Sequence, residues 1–558
     1  MSKLVRPWPA ISVATTFLFG CGSADDVPEF GRDPGGRVLT VTPPGGIGAI
    51  DTCAAASAMN IKVPAQCATI SAAIARAKTG ATITIAAGTY KEAVVLDKSL
   101  TLTGAGSGTT RIVAPKVSDT VLHLGPGGGG KISKVTLSGG HESMSAGEFG
   151  ITGTLYLPAA VTLSDVVLGN APLGITGHYG SLSLTNVTVS NATTAGTKIL
   201  RASSVTVSNS AFTNNAGPGL GIALSGSIAS IITIADSSFN NNGVGLSVSG
   251  KGATVTVGSS TVANNKGVGI ELSGVDGSFK MSSLLVKQNA LSGVRVALGN
   301  GNVTLVGSTL LNNVANGLAV AGGSHRIDLG TSVIKGNGAA GVVVSQSSTK
   351  PIFLENIEIA NPGSVGIRVS GAGLGSIYKS WIHGAREAGI DLAATGETWI
   401  SNVKVEGTLP NPSTGMYGDG VRVVATNVHM DTMIVRKNAR AGVSEFGCGD
   451  IGSPNGARLS VSNTTFQCNA FDIDREMATA LLGTCPSGGT LPALLDQGAT
   501  WCTAQCDPTE PVPAPIAPED ECVDYADAPP CPQPPPSDWA RCHAVSANGL
   551  TPIVAPNP

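Results

Sequence analysis

One spacing limits the possible folds of this 558-residue chain more than any other feature. A glycine, an apolar residue, any residue and a second apolar residue recur every 24 positions between residues 245 and 344. A second alternating run precedes each copy, and a period of two is typical of β-strands. The strict copies begin at Gly245, Gly269, Gly293, Gly317 and Gly341. Looser copies begin at Gly150, Gly174, Gly196, Gly221, Gly366, Gly389, Gly420 and Gly442.

Asparagine forms a second column with the same spacing. Its members are Asn241, Asn265, Asn289, Asn313, Asn337 and Asn361. Asparagine tolerates the left-handed turn conformation, and stacked asparagine side chains hydrogen-bond from one layer to the next. Such a ladder forms only if residue i lies above residue i+24, which predicts a solenoid of β-rungs. The repeat is too short for a propeller blade and lacks the leucine-rich consensus.

Composition agrees with a repeat protein and excludes several classes. Charged residues make up 13% of the chain, about half the usual ~25%, and the net charge is −3. We therefore expect no basic surface for nucleic acid. The 42% hydrophobic content argues against disorder of the whole chain. A single compact core seldom exceeds ~250–300 residues, so this length favours an elongated repeat.

The N-terminus has the features of a targeting segment. Lys3 and Arg6 precede a short apolar stretch that ends at Phe19, and Cys21 follows in a context that resembles a bacterial lipobox. Residues 1–21 are therefore predicted to be a lipoprotein signal peptide, with Cys21 lipidated; the alternative is an ordinary secretion signal. Residues 22–50 are interpreted as a flexible tether. Because the residue directly after Cys21 is Gly22 and not Asp, the sorting pattern that this segment resembles favours the outer membrane or cell surface of a bacterium.

Cysteine usage also indicates export. Without Cys21, ten of the 11 cysteines remain, two near the start and eight after residue 447. This predicts an oxidising compartment and up to five disulfides, with no connectivity assigned among the last eight. Residues 476–558 are predicted to be an irregular Cys/Pro-rich, disulfide-stapled segment, either a C-terminal cap or a separate module. A zinc site is disfavoured, since His543 is the one histidine in that region.

The beginning of the repeat carries a family resemblance. Residues 67–78 form an amphipathic helical pattern, followed by alternating runs at 82–90 and 100–106. This order resembles right-handed parallel β-helix proteins of the pectin lyase-like superfamily, in which a helix caps the first rung. The resemblance implies an all-β fold, a right-handed parallel β-helix of about 24 residues per rung, over residues 51–475. It implies a short N-terminal capping helix as well.

The catalytic motifs of that superfamily do not accompany the fold pattern. Pectate lyases carry Trp-Ile-Asp-His, whereas this chain has Trp399-Ile400-Ser401-Asn402. The signatures of pectin methylesterases, polygalacturonases and alginate epimerases do not occur in the repeat region either. A lyase that uses a lone Arg or Lys as base, with Ca²⁺ held by carboxylates, stays open.

One stretch departs from the regular repeat and is the candidate site. The outward position of the glycine strand becomes charged on successive rungs, and an insertion at residues 407–419 lies beside it. Functional residues often lie on loops held by a rigid scaffold. An exposed salt-bridge ladder with a harmless insertion is the alternative, and is favoured. The candidate catalytic residues are Asp391, Arg422 and His383; the candidate ligand-binding residues are Arg368, Glu387, Tyr417 and Asp419; Asp391 and Asp419 are candidate Ca²⁺ ligands.

Three aromatic residues recur near the rung spacing. Phe353, Tyr378 and Trp399 are 25 and 21 residues apart. If they point outward they form a platform on which sugar rings stack, and if they point inward they form an aromatic core stack. A change of one residue in register reverses the direction. The core position is the prediction here, because it is the commoner arrangement.

These observations predict a surface-anchored, non-catalytic β-helix lipoprotein that binds glycan or other surface material, attached to the membrane only by an N-terminal lipid. One alternative is a carbohydrate-active enzyme, a lyase acting on an acidic polysaccharide with Ca²⁺. A second alternative is a spacer that presents the C-terminal segment.

Overall fold

The fold is taken from a computed structural model, which describes residues 53, 58–146, 148–149, 155–156, 160–224, 229–274, 276–346, 350–371, 375–393, 397–415, 417–424, 426–447, 458–477 and 495–497. Cys21, the predicted tether and most of the predicted C-terminal segment lie outside the described residues. Among the described residues, no helix has the length and apolar character needed to cross a membrane.

The described chain begins with the predicted helical cap. Helix Ile70–Arg76 starts after Thr69, whose hydroxyl accepts a hydrogen bond from the Ala72 amide at 3.1 Å. Ile70, Ala73 and Ile74 are buried on one face, as the sequence pattern predicts. A disulfide between Cys53 and Cys67 fastens the segment before the helix. Cys468 is also disulfide-bonded.

Nearly all described strands pair in parallel and stack into three sheets, each rung giving one strand to each sheet. In the regular region the register advances by 24 residues, as in the pairs Ile270 with Val294 and Val294 with Leu318. The chain is therefore an all-β, right-handed parallel β-helix, as predicted.

The first sheet contains the strands that end just before left-handed turn residues such as Ser259, Ser283 and Asn402. Its strands are Asn60–Val63, Thr82–Ile85, Ser99–Gly104, Gly129–Ser133, Ser230–Ala235, Ala253–Gly258, Ser278–Ser282, Asn302–Val306, Arg326–Gly330, Ile352–Glu355, Gly375–Tyr378, Glu397–Ser401, Asn427–Asp431, Arg458–Ser462 and Leu495–Gln497.

The second sheet has mostly short strands. They are Gly88–Lys91, Thr110–Val113, Thr136–Ser138, Ala211–Thr213, Ser238–Asn240, Thr261–Ala263, Leu285–Lys287, Thr309–Leu311, Val333–Lys335, Glu358–Ala360, Trp381–His383, Lys404–Glu406, Ile434–Arg436 and Thr465–Gln467.

The third sheet contains the glycine strands of the repeat. They are Val94–Leu96, Thr120–Leu124, Glu142–Ala146, Pro218–Leu224, Val244–Gly250, Ile270–Ser273, Val294–Ala297, Leu318–Ala321, Val342–Ser345, Ile367–Ser370, Ala388–Ala393, Asp419–Val424, Ala441–Gly447 and Phe471–Met477. Three long strands turn corners and join more than one sheet: Val161–Gly169, Leu173–Ser190 and Ala195–Ser208. Glu148–Phe149 and Leu155–Tyr156 form a small antiparallel pair.

Alternation along each strand separates the core from the outer surface. In the third sheet, Ile270, Val294, Leu318 and Val342 stack inside the solenoid, each with an exposed fraction of 0%. Their neighbours in sequence point outward, which is the expected pleat of a β-strand. The core is thus a set of aliphatic columns that run along the helix axis.

The glycine column is required by a close approach of the backbone. A Cβ added at Gly317 would lie 2.6 Å from the Ile334 side chain and 2.7 Å from the carbonyl oxygen of Gly341. A Cβ added at Gly293 would likewise clash with the Asn313 side chain and the Gly317 carbonyl oxygen. The glycines therefore allow successive rungs to stack at this corner, and their role is structural, as predicted.

The asparagine prediction is confirmed for four of its six members. Asn265, Asn289, Asn313 and Asn337 are buried, and the side-chain nitrogen of each of the first three donates to the side-chain oxygen of the next member at 2.8–3.0 Å. Asn337 is the last acceptor, and its own side-chain nitrogen donates to the Leu310 carbonyl at 3.0 Å. The same oxygens accept from backbone amides of the preceding rung, as between the Asn265 amide and Asn289 Oδ1 at 3.1 Å. The ladder thus satisfies buried donors at every turn.

Asn241 and Asn361 belong to a neighbouring column. Both have positive φ, 57° and 48°, and lie at the left-handed turn position that precedes the ladder position. Asn242 is the ladder member on its rung and accepts from Asn215 Nδ2 at 2.9 Å. After Asn337 the ladder position is occupied by Pro362, Ala385 and Thr408, and it returns to asparagine at Asn438 and Asn469.

Candidate functional site

The predicted charged column forms one ion-paired cluster on the outer face of the third sheet. We call Arg368, Glu387, Asp391 and Arg422 the arginine–carboxylate cluster. Asp391 lies between the two arginines in register and accepts from Arg368 Nε at 2.7 Å and from Arg422 Nε and Nη2 at 2.9 and 2.7 Å. Glu387 Oε1 accepts from both arginines at 3.0 and 3.1 Å.

Burial and pairing hold these groups in their charged forms. Burial alone would raise the pKa of Asp391, but the hydrogen bonds and charges of Arg422 and Arg368 lower it overall. Burial opposes the charge of Arg422, and the bonds and charge of Asp391 more than offset it, so the pKa of Arg422 is raised. A carboxylate held in this way is a weak base, and a guanidinium with a raised pKa is a poor proton donor.

The inserted loop adds Tyr417 to this cluster. The Arg422 guanidinium lies over the Tyr417 ring, 4.9 Å from its centroid. Glu387 and Tyr417, which both contact Arg422, have φ of 92° and 71°, an unusual backbone conformation for residues other than glycine. The Glu387 carbonyl accepts from the amides of Gly418 and Asp419, which fastens the end of the loop. The sequence-predicted proximity of the loop to the charged column is thus present in the structure.

Asp419 is the first residue of strand Asp419–Val424 and is fully buried. Its carboxylate accepts from Arg440 Nε and Nη2 at 2.7 and 2.8 Å and from the Ser444 hydroxyl at 3.0 Å. Asp391 and Asp419 are therefore bonded to different arginines. A Ca²⁺ ion at either carboxylate would compete with a guanidinium, so this donor set does not favour calcium. The part of the chain described here contains no group of three or more His, Cys, Asp or Glu placed to hold a metal.

His383 lies on the second sheet and not beside Asp391. Its Nε2 is 3.2 Å from Glu358 Oε1, and its ring stacks on Trp381 with centroids 3.9 Å apart. Hydrogen bonding to His383 lowers the pKa of Glu358. The structure thus brings two of the three candidate catalytic residues together, Asp391 and Arg422, and places the third on another face.

A second set of ion pairs lies on the same face as His383. Glu406 accepts from Trp381 Nε1 at 3.0 Å and from Arg436 Nε at 2.6 Å, and Lys404 Nζ lies 3.0 Å from it. Burial raises the pKa of Glu406, but the bond from Arg436 and the charge of Lys404 lower it overall. Glu358, Trp381, Lys404 and Ile434 also line a groove of about 780 Å³ at the corner between the first and second sheets.

The aromatic residues point outward, so the prediction of a core stack is wrong. Trp399 and Tyr378 are 51% and 36% exposed, and Phe353 alternates with buried Ile352 and Leu354. Phe353 and Trp399 share one outward column of the first sheet, while Tyr378 lies in the next column. A shift of one residue in the strand register exchanges inward-facing and outward-facing positions. The strands have the register that places these rings outside.

Two partners of these rings were missed by the sequence analysis. His429 stacks on Trp399 with centroids 4.1 Å apart, and its Nε2 lies 2.6 Å from Glu397 Oε1. Arg326 lies over the Phe353 ring at 4.8 Å and pairs with Asp328. Trp399 and His429 are 30 residues apart and Asp391 and Arg422 are 31 apart, so the enlarged rung was a signal in the sequence that could have paired Trp399 with His429.

Comparison with known proteins agrees with the fold. Residues 173–334 match the family model described as "Right handed beta helix region". No curated protein matches the sequence. With its three stacked parallel sheets, the chain is therefore a right-handed β-helix protein.

Solved structures are similar to this chain only at low identity and low TM-score. One is the catalytic unit of a GH87 alpha-1,3-glucanase from Streptomyces thermodiastaticus, at 16% identity and a TM-score of 0.26, over 77% of this chain and 64% of that one. Another is the A-module of a mannuronan C-5 epimerase from Azotobacter vinelandii, at 15% identity and 0.25, over 78% and 95%. A third is a periplasmic alginate epimerase, at 10% identity and 0.27, over 75% and 77%.

Proposed function

We propose that this protein binds a polysaccharide on the outer face of the first sheet and does not cleave it. The observation that carries the proposal is the exposure of Trp399 and Tyr378 on a rigid, outward-facing strand surface. Exposed aromatic rings on a rigid surface usually mark a binding site, and the flat apolar faces of sugar rings stack on them.

The state of the charged residues supports the non-catalytic part. Asp391 and Arg422 neutralise one another, and Asp419 is engaged by Arg440. General acid–base catalysis requires a group that can gain or lose a proton near the operating pH. The arginine–carboxylate cluster favours a structural role, and on the aromatic face His429 is engaged by Glu397 and stacked on Trp399.

We further propose that the chain is exported and attached to a bacterial surface by a lipid on Cys21. The support is the lipobox-like sequence and the cysteine usage, together with the disulfide between Cys53 and Cys67. Mass spectrometry of the full chain from its native membrane fraction tests this. A diacylglyceryl mass on Cys21 is expected, and a mature N-terminus without Cys21 would contradict it.

The function is tested by incubating the full chain with neutral and acidic polysaccharides: dextran, mannan, pectin and alginate, with and without Ca²⁺. Bound protein is measured together with new reducing ends and the absorbance of unsaturated uronates. We expect binding to at least one polysaccharide without product. Trp399→Ala should weaken it roughly tenfold, a loss of about 1.4 kcal/mol.

The matched control is Ile231→Ala, which removes another exposed apolar side chain, 61% exposed, from the same sheet. It should leave binding unchanged. Product release by the wild-type chain would overturn the non-catalytic part and support the lyase alternative. Binding to none of the polysaccharides would overturn the proposal and favour the spacer alternative.

A further inference from the structure

The outward column of the first sheet has a gap between two aromatic rings. Along the column the residues are Asp328, Phe353, Ser376, Trp399 and His429, each paired with the next in register. Ser376 is the small residue between the two rings. Neighbouring parallel strands lie ~4.8 Å apart, so Phe353 and Trp399 are separated by roughly 9.6 Å, twice that spacing.

The outer faces of both rings are already covered. The Arg326 guanidinium lies over Phe353 at 4.8 Å, and it bonds Asp328 on the rung before the ring. His429 stacks on Trp399 at 4.1 Å with an interplanar angle of 15°, and it belongs to the rung after the ring. The two remaining faces are therefore those directed toward Ser376.

A third aromatic side chain closes one side of the gap. Tyr378 is two residues beyond Ser376 on the same strand, so both point outward from the sheet. Lys379 Nζ lies over the Tyr378 ring at 5.1 Å. The gap thus lies between the Phe353 and Trp399 rings, with the Tyr378 ring at one side and the Ser376 hydroxyl at its floor. We call this space, bounded by Phe353, Ser376, Tyr378 and Trp399, the aromatic slot.

We propose that the aromatic slot binds one uncharged sugar ring at the end or branch of a polysaccharide chain; this rests on the proposed function. A ring placed midway would lie roughly 4.8 Å from each aromatic ring, which is within the ~4.5–7 Å range of stacked ring centroids. The Ser376 hydroxyl can exchange a hydrogen bond with a sugar hydroxyl. Both faces of the bound ring would be covered, and Tyr378 would block one side. The glycosidic bond that joins this ring to the rest of the polysaccharide would therefore point toward solvent.

The charges around the slot favour an uncharged ligand. Arg326 is paired with Asp328, and His429 with Glu397 at 2.6 Å. Arg326 is neutralised by Asp328, while Glu397 and Lys379 beside the slot are of opposite charge, so these groups give no excess charge that would select an acidic or a cationic ring. Aromatic stacking and the serine hydroxyl are then the main sources of affinity.

The test fills the slot. Ser376→Trp places a ring where the sugar would lie and should reduce the affinity of the full chain for the bound polysaccharide at least tenfold. Thr256→Trp is the matched control, because Thr256 occupies the same outward column several rungs earlier. It should leave the affinity unchanged. Circular dichroism melting of both variants checks that they are folded.

The second measurement addresses the chain end. Methyl glucoside is titrated against bound dextran, and methyl mannoside against bound mannan, with the tryptophan fluorescence of the wild-type chain and of Trp399→Phe recorded in parallel. We expect the monosaccharide glycoside to displace the polysaccharide, and its fluorescence response to be lost in Trp399→Phe. Displacement that requires an oligosaccharide would overturn binding at the chain end.

The two proposals fail in different ways. If the wild-type chain binds a polysaccharide and Ser376→Trp binds it equally well, the aromatic slot is wrong and the proposed function stands. If the wild-type chain binds none of the polysaccharides and neither methyl glycoside, both are wrong. Preference for alginate or pectin over dextran and mannan would contradict an uncharged ligand.

Discussion

The rungs from Asn215 to Asn337 and the rungs that carry Pro362, Ala385 and Thr408 are stacked by different interactions. In the first region, buried asparagine amides join each rung to the next inside the corner. In the second region the ladder position holds no asparagine, and the arginine–carboxylate cluster joins the rungs from outside. The comparison teaches that one solenoid can replace an internal amide ladder by an external ion-pair ladder.

The rungs that lack the asparagine ladder also carry the candidate binding surface. The aromatic slot and the insertion at residues 407–419 both belong to the region that lacks the asparagine ladder. The asparagine ladder lies inside the solenoid and uses none of the outer surface. The arginine–carboxylate cluster, in contrast, occupies the outer face of the third sheet. We therefore place the structural ion pairs on the third sheet and the binding surface on the first.

The largest expected effect comes from breaking the external ladder. Asp391→Ala leaves Arg422, whose side chain is 12% exposed, without its main carboxylate partner. Removing one partner of a buried pair costs about 3–5 kcal/mol. Urea unfolding followed by circular dichroism should give a clear decrease in the transition midpoint.

Glu271→Ala is the control, because Glu271 lies in the same outward column and pairs with Arg295 at 3.6 Å in an exposed position. Its expected cost is about 0–1 kcal/mol. Equal destabilisation by the two substitutions would show that the cluster contributes no more than a surface pair and would remove the contrast between the regions.

The internal ladder is expected to be nearly as important in its own region. Asn289→Ala removes the acceptor of the Asn265 side chain and amide, at 2.8 and 3.1 Å, and leaves buried groups unsatisfied. Each such group costs about 1–3 kcal/mol, so we expect a loss of about 3 kcal/mol. The measurement is again the free energy of unfolding in urea.

Asn264→Gly serves as the comparison, at the turn that carries Asn265, the donor to Asn289. Asn264 has φ of 56°, which glycine adopts without strain, so its replacement should change stability by only a few tenths of a kcal/mol. If Asn289→Ala were as mild as Asn264→Gly, the asparagine side chains would not be joining the rungs.

The sequence could predict what every rung repeats. Gly317 allows close backbone packing and Asn289 satisfies buried donors, and both requirements recur at the same corner of successive rungs. The regular spacing of these residue types therefore predicts the fold. The assignment of Asn241 failed because three asparagines occur in a row, and the ladder uses the third. The direction of Trp399 failed for the same reason: a phase error of one residue exchanges inside and outside.

Contacts between non-repeated residues were harder to predict. The charged column gave the pairing of Arg368, Asp391 and Arg422 because they follow the glycine spacing. His383 was grouped with them by closeness in sequence, but a corner separates its strand from the glycine strand, so its side chain faces another direction. Nearness along the chain does not give nearness in space when a corner intervenes.

A smaller effect should appear in acid and sharpen the comparison. The pKa of Asp391 is lowered in the folded chain, so its contribution to stability is complete above the unfolded value of about 3.9 and is lost as the pH falls through the folded pKa. Asp391→Asn cannot titrate there. The difference in melting temperature between wild type and Asp391→Asn should therefore be constant near neutral pH and narrow below about pH 4.

The control is Asn289→Ala, which removes a group that does not titrate, so its difference in melting temperature from wild type should not narrow in this way. A parallel narrowing in both variants would mean that acid loosens the solenoid generally, and that the external ladder is not the acid-sensitive element.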